Sequence, residues 1–106
     1  MDRIATFRTF IAQRPDDPFP RYGLAMELRG QGQLGLAIEA FNELATKWPD
    51  YVPTYLMAGT ALVESGNAEG ARSMFERGIE AARRRSDNHA LSELQTALAG
   101  LPEADS

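Results

Sequence analysis

Three groups of residues have types and spacings that could support chemistry. Gly30-Gln31-Gly32-Gln33-Leu34-Gly35 matches G-x-G-x-x-G letter for letter. That pattern lets a backbone approach a dinucleotide pyrophosphate at a helix N-terminus, inside a parallel sheet and after a strand. Here the residues before Gly30 have helical periodicity and no strand is predicted, so the glycines read as a helix stop and an inter-helix turn. His89 is the only histidine, and Glu93 follows four residues later on the same helix face. Two ligands do not close a zinc site, and no third follows at helical spacing, so His89 reads as a capping or exposed residue. Glu39, Glu43, Glu76 and Glu80 could serve as acids or bases, but their spacing predicts a solvated face. Arg72, Arg77, Arg83 and Arg84 beside Glu76 and Glu80 read as intrahelical ion pairing. The Arg83-Arg84-Arg85 run could draw an acidic partner, yet positive charge there also favours a helix C-terminus. No serine or threonine has a histidine at motif spacing, and the chain has no cysteine. No catalytic residue, metal or cofactor is therefore expected, and the absence of thiols fits a reducing cytoplasm.

The 106 residues suffice for one domain with a modest core, and 43% apolar with 25% charged residues is ordinary for a globular protein. A net charge of -4 argues against nucleic acid held through its phosphates. No stretch reaches the 18 apolar residues of a membrane span, and MDRIATFRTFIAQRP lacks the apolar run of a signal peptide. A cytoplasmic protein is expected.

Prolines and glycines cut the chain into helices. Asp2 can cap a first helix over residues 3–14, with Ile4, Phe7, Phe10 and Ile11 on its apolar face. Asp17 before Pro18 resembles an N-cap followed by proline in the first turn. The second helix then runs to about Arg29, where Gly30-Gln31-Gly32 ends it. A third spans 34–47 and stops before Pro49. A fourth spans 53–65, and a fifth, capped by Asn67, spans 68–84. Ser86 or Asp87 caps a sixth that ends near Gly100. The predicted fold class is all α with about six helices.

The chain also repeats itself at 34 residues. Leu24, Ala25 and Leu28 fall on Ala58, Gly59 and Leu62; Gly32 falls on Gly66, Ala37 on Ala71, Phe41 on Phe75 and Leu44 on Gly78. The small residues would let paired helices approach closely, and the phenylalanines would fill space between pairs. Ala37 and Ala71 are expected at helix crossings, and Gly70, on a neighbouring direction, is expected to tolerate alanine. A helix-turn-helix period of this length with these small and large positions resembles the tetratricopeptide-repeat family. The resemblance covers nearly the whole chain. Residues 18–51 form one repeat, closed by Pro49, and residues 52–85 a second, with Arg83 in place of the closing proline. The family's aromatic near the start of the first helix is Tyr55 in one repeat and Arg21 in the other. Residues 1–17 look like the second half of a repeat, and residues 86–106 like a lone capping helix and tail, its Ala90, Leu91 and Leu94 echoing residues 58, 59 and 62 at an offset of 32.

That resemblance implies antiparallel helix pairs stacked into a right-handed superhelix, with both ends closed by helices. On the last helix Leu91, Leu94, Leu98 and Leu101 form an apolar stripe, which serves either as a cap or as a homodimer interface. The family's first helices line the concave surface, where peptides or helices bind. The matching faces here carry Phe19, Tyr22, Met26 and Arg29, then Pro53, Leu56, Thr60 and Val63. Phe19, Tyr22, Met26, Arg29, Leu56, Thr60 and Val63 are the expected partner-binding residues, unless the last helix covers Leu56 and Val63. Such a face suits an apolar peptide segment. One subclass of the family grips C-terminal carboxylates with a Lys, Asn, Asn, Lys, Arg clamp. Tyr22, Met26 and Met57 stand at its first three places, and Asp87 and Leu91, or Arg85 and His89, at the last two, so that activity is not implied. The expected function is non-enzymatic protein or peptide binding, or else self-association through the groove or the last helix.

Overall fold

Short polar side chains start four of the helices in the computed structural model, which describes residues 2–102; Met1 and residues 103–106 of the expected tail lie outside the described residues. Asp2 accepts from the Ile4 N–H and opens α1 (Arg3–Gln13), and Asp17 accepts from the Phe19 N–H and opens α2 (Pro18–Gly30) with Pro18 in its first turn. Asn67 opens α5 (Ala68–Arg84), and Asp87, rather than Ser86, opens α6 (Asn88–Ala99). Each cap satisfies a donor that the first turn leaves without an intrahelical partner. α3 (Leu34–Lys47) and α4 (Pro53–Glu64) begin without a side-chain cap. Pro49 ends α3. Arg83, at the matching place in α5, permits another turn, and α5 runs on to Arg84, which reaches back to Asp50 with Nε–Oδ1 2.9 Å.

One turn geometry serves three connections. The N–H groups of Gln33, Asn67 and Asp87 donate to the carbonyls of Leu28, Leu62 and Ala82, five residues back, at 2.8–2.9 Å. The residue before each takes a left-handed conformation, with φ of 80° at Gly32, 87° at Gly66 and 54° at Ser86. This is the paired hydrogen-bond stop in which glycine is favoured because it has no Cβ to clash. Ser86 makes the same turn with a side chain.

Consecutive helices pack against one another through the whole chain. α2 also touches α4, and α4 also touches α6, whereas α1, α3 and α5 do not touch each other. A layer whose members meet, backed by a layer whose members stand apart, curves toward the first. α2, α4 and α6 therefore form the inner, concave layer. Among the described residues there are six helices and no strand. The core lies between the layers and runs through Ala25, Leu28, Ala37, Phe41, Leu44, Tyr55, Ala58, Ala61, Ala71, Phe75 and Leu94. Ala37 and Ala71 are fully buried. The α6 stripe faces inward, with Leu94 buried and Leu91, Leu98 and Leu101 packed on the core. α1 has no buried residue.

The glycines mark where helices come closest. A methyl on Gly59 would stand inside the Phe75 ring, and one on Gly23 inside the Phe7 ring. A Cβ on Gly78 would meet Tyr55 Cβ at 2.5 Å and Leu94 Cδ2 at 2.9 Å. Gly70 faces a movable neighbour rather than a packed ring. Its Cβ would fall 2.7 Å from Asn67 Nδ2, on the side chain that caps α5 through a 2.8 Å bond to the Gly70 N–H. Alanine there requires the end of the Asn67 side chain to shift, which sets a perturbed cap against the gain in helix propensity.

Two substitutions test these contacts by urea unfolding. Gly59→Ala should destabilise by about 1–3 kcal/mol, because the Phe75 ring must move within a packed core. Ser86→Gly should stabilise by up to about 1 kcal/mol, since removing the left-handed strain outweighs the added freedom of the unfolded chain. An unchanged midpoint for the first, or a lower one for the second, would contradict the packing described.

Candidate functional site: the inner face

The inner layer leaves an apolar cleft of about 270 Å3 between α4 and α6. Val52, Pro53, Leu56 and Met57 supply one wall, Ala90 and Leu94 the other, and Tyr22 of α2 closes one end. Asp87, His89 and Glu93 stand at its rim. The walls follow from the sequence locally. Pro53 starts α4 after the Pro49 corner, and Pro53, Leu56 and Met57 of its first turns line the cleft. Asp87 caps α6 and fixes where Ala90 begins to pack. Tyr22 is held edge-on by two rings, Phe41 at 6.3 Å and Tyr51 at 5.8 Å between centroids, geometry that suits aromatic quadrupoles.

The expected partner-binding residues separate into four places. Tyr22 and Leu56 share the cleft. Met26 is half-buried against the core, and Thr60 turns its hydroxyl back to the Leu56 carbonyl at 2.7 Å. Arg29 is engaged within the chain. Its Nε and one terminal nitrogen donate to the two carboxylate oxygens of Glu64 at 2.7 and 2.9 Å, tying the end of α2 to the end of α4. Val63 beside it is 46% exposed. Phe19 sits apart, in a separate cleft with Phe7, Phe10, Arg14, Asp17 and Pro20. α6 covers Leu56 in part, making that residue half-buried, and leaves Val63 open. Val52, Met57, Ala90 and Leu94 were not among the expected site residues. The echo of residues 58, 59 and 62 in α6 is the signal that this helix continues the inner layer.

Gly30 closes α2, Gly32 makes the turn and Gly35 lies in α3, with a helix where a dinucleotide site needs a strand. His89 Nε2 lies 3.2 Å from Glu93 Oε1 on the exposed face of α6. Among the described residues no three His, Cys, Asp or Glu side chains gather as metal ligands, and no helix is long and apolar enough to cross a membrane.

Charge on this face is fixed by local partners. Hydrogen bonding from Arg29 holds the Glu64 carboxyl below its ordinary pKa of 4.5 and raises that of Arg29. Burial pushes the Tyr22 hydroxyl up, opposed by the nearby Arg29, and pushes Tyr51 up with help from Tyr22 and Asp17.

A family model described as tetratricopeptide repeat matches residues 28–98, most of the chain. The chain belongs to the tetratricopeptide repeat family. Tetratricopeptide repeats are helical repeats that typically bind protein partners, and proteins of the family are generally non-catalytic scaffolds. A tetratricopeptide repeat domain protein from Salinibacter ruber is similar in both its solution and crystal structures. The solution structure is 38% identical with a TM-score of 0.76, covering 80% of this chain and 86% of that one. The crystal structure is 37% identical with a TM-score of 0.74, covering 79% and 93%. A protein from Bordetella parapertussis is 25% identical, with a TM-score of 0.79 over 93% of this chain and 86% of its own. A search of curated proteins found no match.

The Arg29–Glu64 pair makes acid sensitivity testable. Glu64 has a folded-state pKa below its unfolded value, so its contribution is present above about pH 4.5 and disappears as the pH falls through the folded value. Both side chains are partly exposed, which limits the pair to roughly 1 kcal/mol or less. Glu64→Gln should therefore lower Tm slightly at about pH 7 and not at about pH 3, the two proteins converging in acid. A constant difference across that range would mean that the pair does not carry the effect.

Proposed function

We propose that this tetratricopeptide repeat chain is a non-enzymatic, cytoplasmic protein-binding module whose inner face takes an apolar side chain of a peptide or helix into the α4–α6 cleft. The observation that carries the reading is the cleft itself. Its walls are apolar side chains on two helices of the inner layer, and its polar groups stand at the rim. Burying apolar area there supplies roughly 25 cal/mol per Å2, and Met57 beside Leu56 gives a wall that adapts to the entering side chain. Of the expected residues, Tyr22 and Leu56 act directly in this reading, Met26 and Thr60 shape the face, and Arg29 brackets it through Glu64. The partner supplies a hydrophobic segment. Self-association through the α6 stripe finds less support, because that stripe packs inward and the exposed residues of α6 include His89, Ser92, Glu93, Gln95 and Thr96.

Salt and one substitution test this reading. Binding of amphipathic peptides bearing a central leucine or phenylalanine, followed by calorimetry, should weaken little between about 50 and 300 mM salt, since apolar burial is not screened. Leu56→Asp should reduce affinity by at least about thirtyfold, the equivalent of roughly 2 kcal/mol, while circular dichroism stays unchanged. Glu80→Ala on the outer layer should bind normally. Steep salt weakening, or normal binding by a folded Leu56→Asp protein, would place the site elsewhere.

A further inference from the structure

The α4–α6 cleft does not end at its apolar walls. A second cleft adjoins it along α6 and shares Leu56, His89 and Glu93 with it, and Ser92, Thr96 and Ala97 complete the lining. Glu93 therefore stands between the two. In the first, an entering side chain meets Leu56 and Leu94. In the second, a side chain beside it meets two hydroxyls and the Glu93 carboxylate, with Leu56 and Ala97 along its length. Residues three or four apart on a helix lie about 5–6 Å from one another, so one turn of an entering helix reaches both places.

Charge around this face decides what the second cleft takes. Glu64 is held by Arg29, Asp50 by Arg84 and Glu27 by Arg3. Asp17, close to Tyr51, shares its own cleft with Arg14. Asp87 spends one oxygen on the cap of α6 and has Arg85 beside it in an adjoining depression. Glu93 is the exception. Its partner is His89 Nε2 at 3.2 Å, an imidazole counted neutral at pH 7, and no arginine or lysine lines either cleft that it borders. A carboxylate accepts several hydrogen bonds at once, so an added donor need not displace His89. The geometry points to a cation subsite at Glu93, which rests on the binding role proposed above: a helix of a partner protein places an apolar side chain between Leu56 and Leu94 and, one turn along, a lysine or arginine on the Glu93 carboxylate. The long stem of either residue lies on Leu56 and Ala97 while its charged end stays at the surface. An acidic or phosphorylated segment would set like charge on Glu93, and an anionic membrane would do the same.

Three helical peptides of about 18 residues test this, each with a central leucine and, four residues before and after it, lysine, glutamine or glutamate. Calorimetry with the full chain at about pH 7.5 and 50 mM salt should rank them in that order, with about threefold between the first two and about tenfold between first and last. The spread should narrow at about 300 mM salt while the glutamine peptide holds its affinity, because only the charge contact is screened. Amide shifts should centre on α4 and α6. Glu93→Gln should remove the preference for lysine over glutamine, and Glu93→Lys should place the glutamate peptide first. Glu80→Gln, an equal change of charge on the outer layer, should keep the original ranking. Glu93 is exposed, and circular dichroism verifies the fold of each variant. Equal binding of the three peptides, or a lysine preference that persists in Glu93→Gln, overturns the cation subsite and leaves the apolar cleft as the binding place. No binding by any peptide at about 1 mM, or shifts centred on α1, overturns both. Self-association of the chain that is lost in Glu93→Lys assigns the groove to a second copy and overturns the partner named here.

Discussion

An aromatic ring lying directly on a helical glycine sets the spacing on which this structure depends. Phe75 covers Gly59 so closely that no methyl fits between them, and Phe7 covers Gly23 in the same way. Protein interiors are packed to crystal-like density, so contact at that range leaves one relative position for the two helices. Gly78 extends the device to a third helix, because its bare backbone admits both Tyr55 of α4 and Leu94 of α6. The exchange of Leu44 for Gly78 at one register position is therefore compensated by Leu94. That close seating brings α6 beside α4 and makes the cleft wall from Ala90 and Leu94.

The corners are fixed differently in the two pairs, with the same outcome. Tyr55 is buried and donates its hydroxyl to the Pro49 carbonyl at 2.6 Å, fastening the start of α4 to the corner before it. Arg77 lies over its ring at 5.7 Å from the centroid. Arg21 holds the matching place in α2 and works as a cation instead. Its guanidinium stands 5.4 Å from the Trp48 ring centroid and 3.3 Å from Glu43 Oε1. A buried phenol and a half-buried guanidinium both join the first turn of an inner helix to the outer layer. What matters at this position is a long, flat group with one polar end.

Much of the fold was legible because its signals are local. Asp2, Asp17 and Asn67 cap as their types dictate, Pro49 stops α3, and the repeat of phenylalanine and small residues at 34 places the core. Signals that depend on a neighbour were not legible. Gly70 reads as free to take a methyl, and the orientation of the Asn67 cap beside it is not visible in the sequence. Ser86 takes the left-handed place that Gly32 and Gly66 hold, and a serine does not announce it. The inner face was read from two helices, so α6's share of the cleft was missed. Phe19 was grouped with Tyr22 by helical spacing, yet the first turn of α2 is still beside α1, and the ring joins Phe7 and Phe10.

The inner face is latched at one end and open at the other, and this bears on how a groove of three helices can accept a ligand. Arg29 and Glu64 join the C-terminal ends of α2 and α4 with two short charge-assisted bonds. At the other end of α4, Pro53, Leu56 and Met57 face α6 across the cleft. A side chain entering there meets apolar walls and breaks no ion pair between inner helices. One entering near Arg29 must compete with Glu64 for the guanidinium. The sequence places both partners of the latch in helix ends, where long side chains reach a neighbour, and reserves the proline-started first turns of α4 for apolar contact. In the proposed reading, selectivity on this face rests on the shape of one cleft and its rim of Asp87, His89 and Glu93, with the neighbouring helix spacing already set by the glycine contacts.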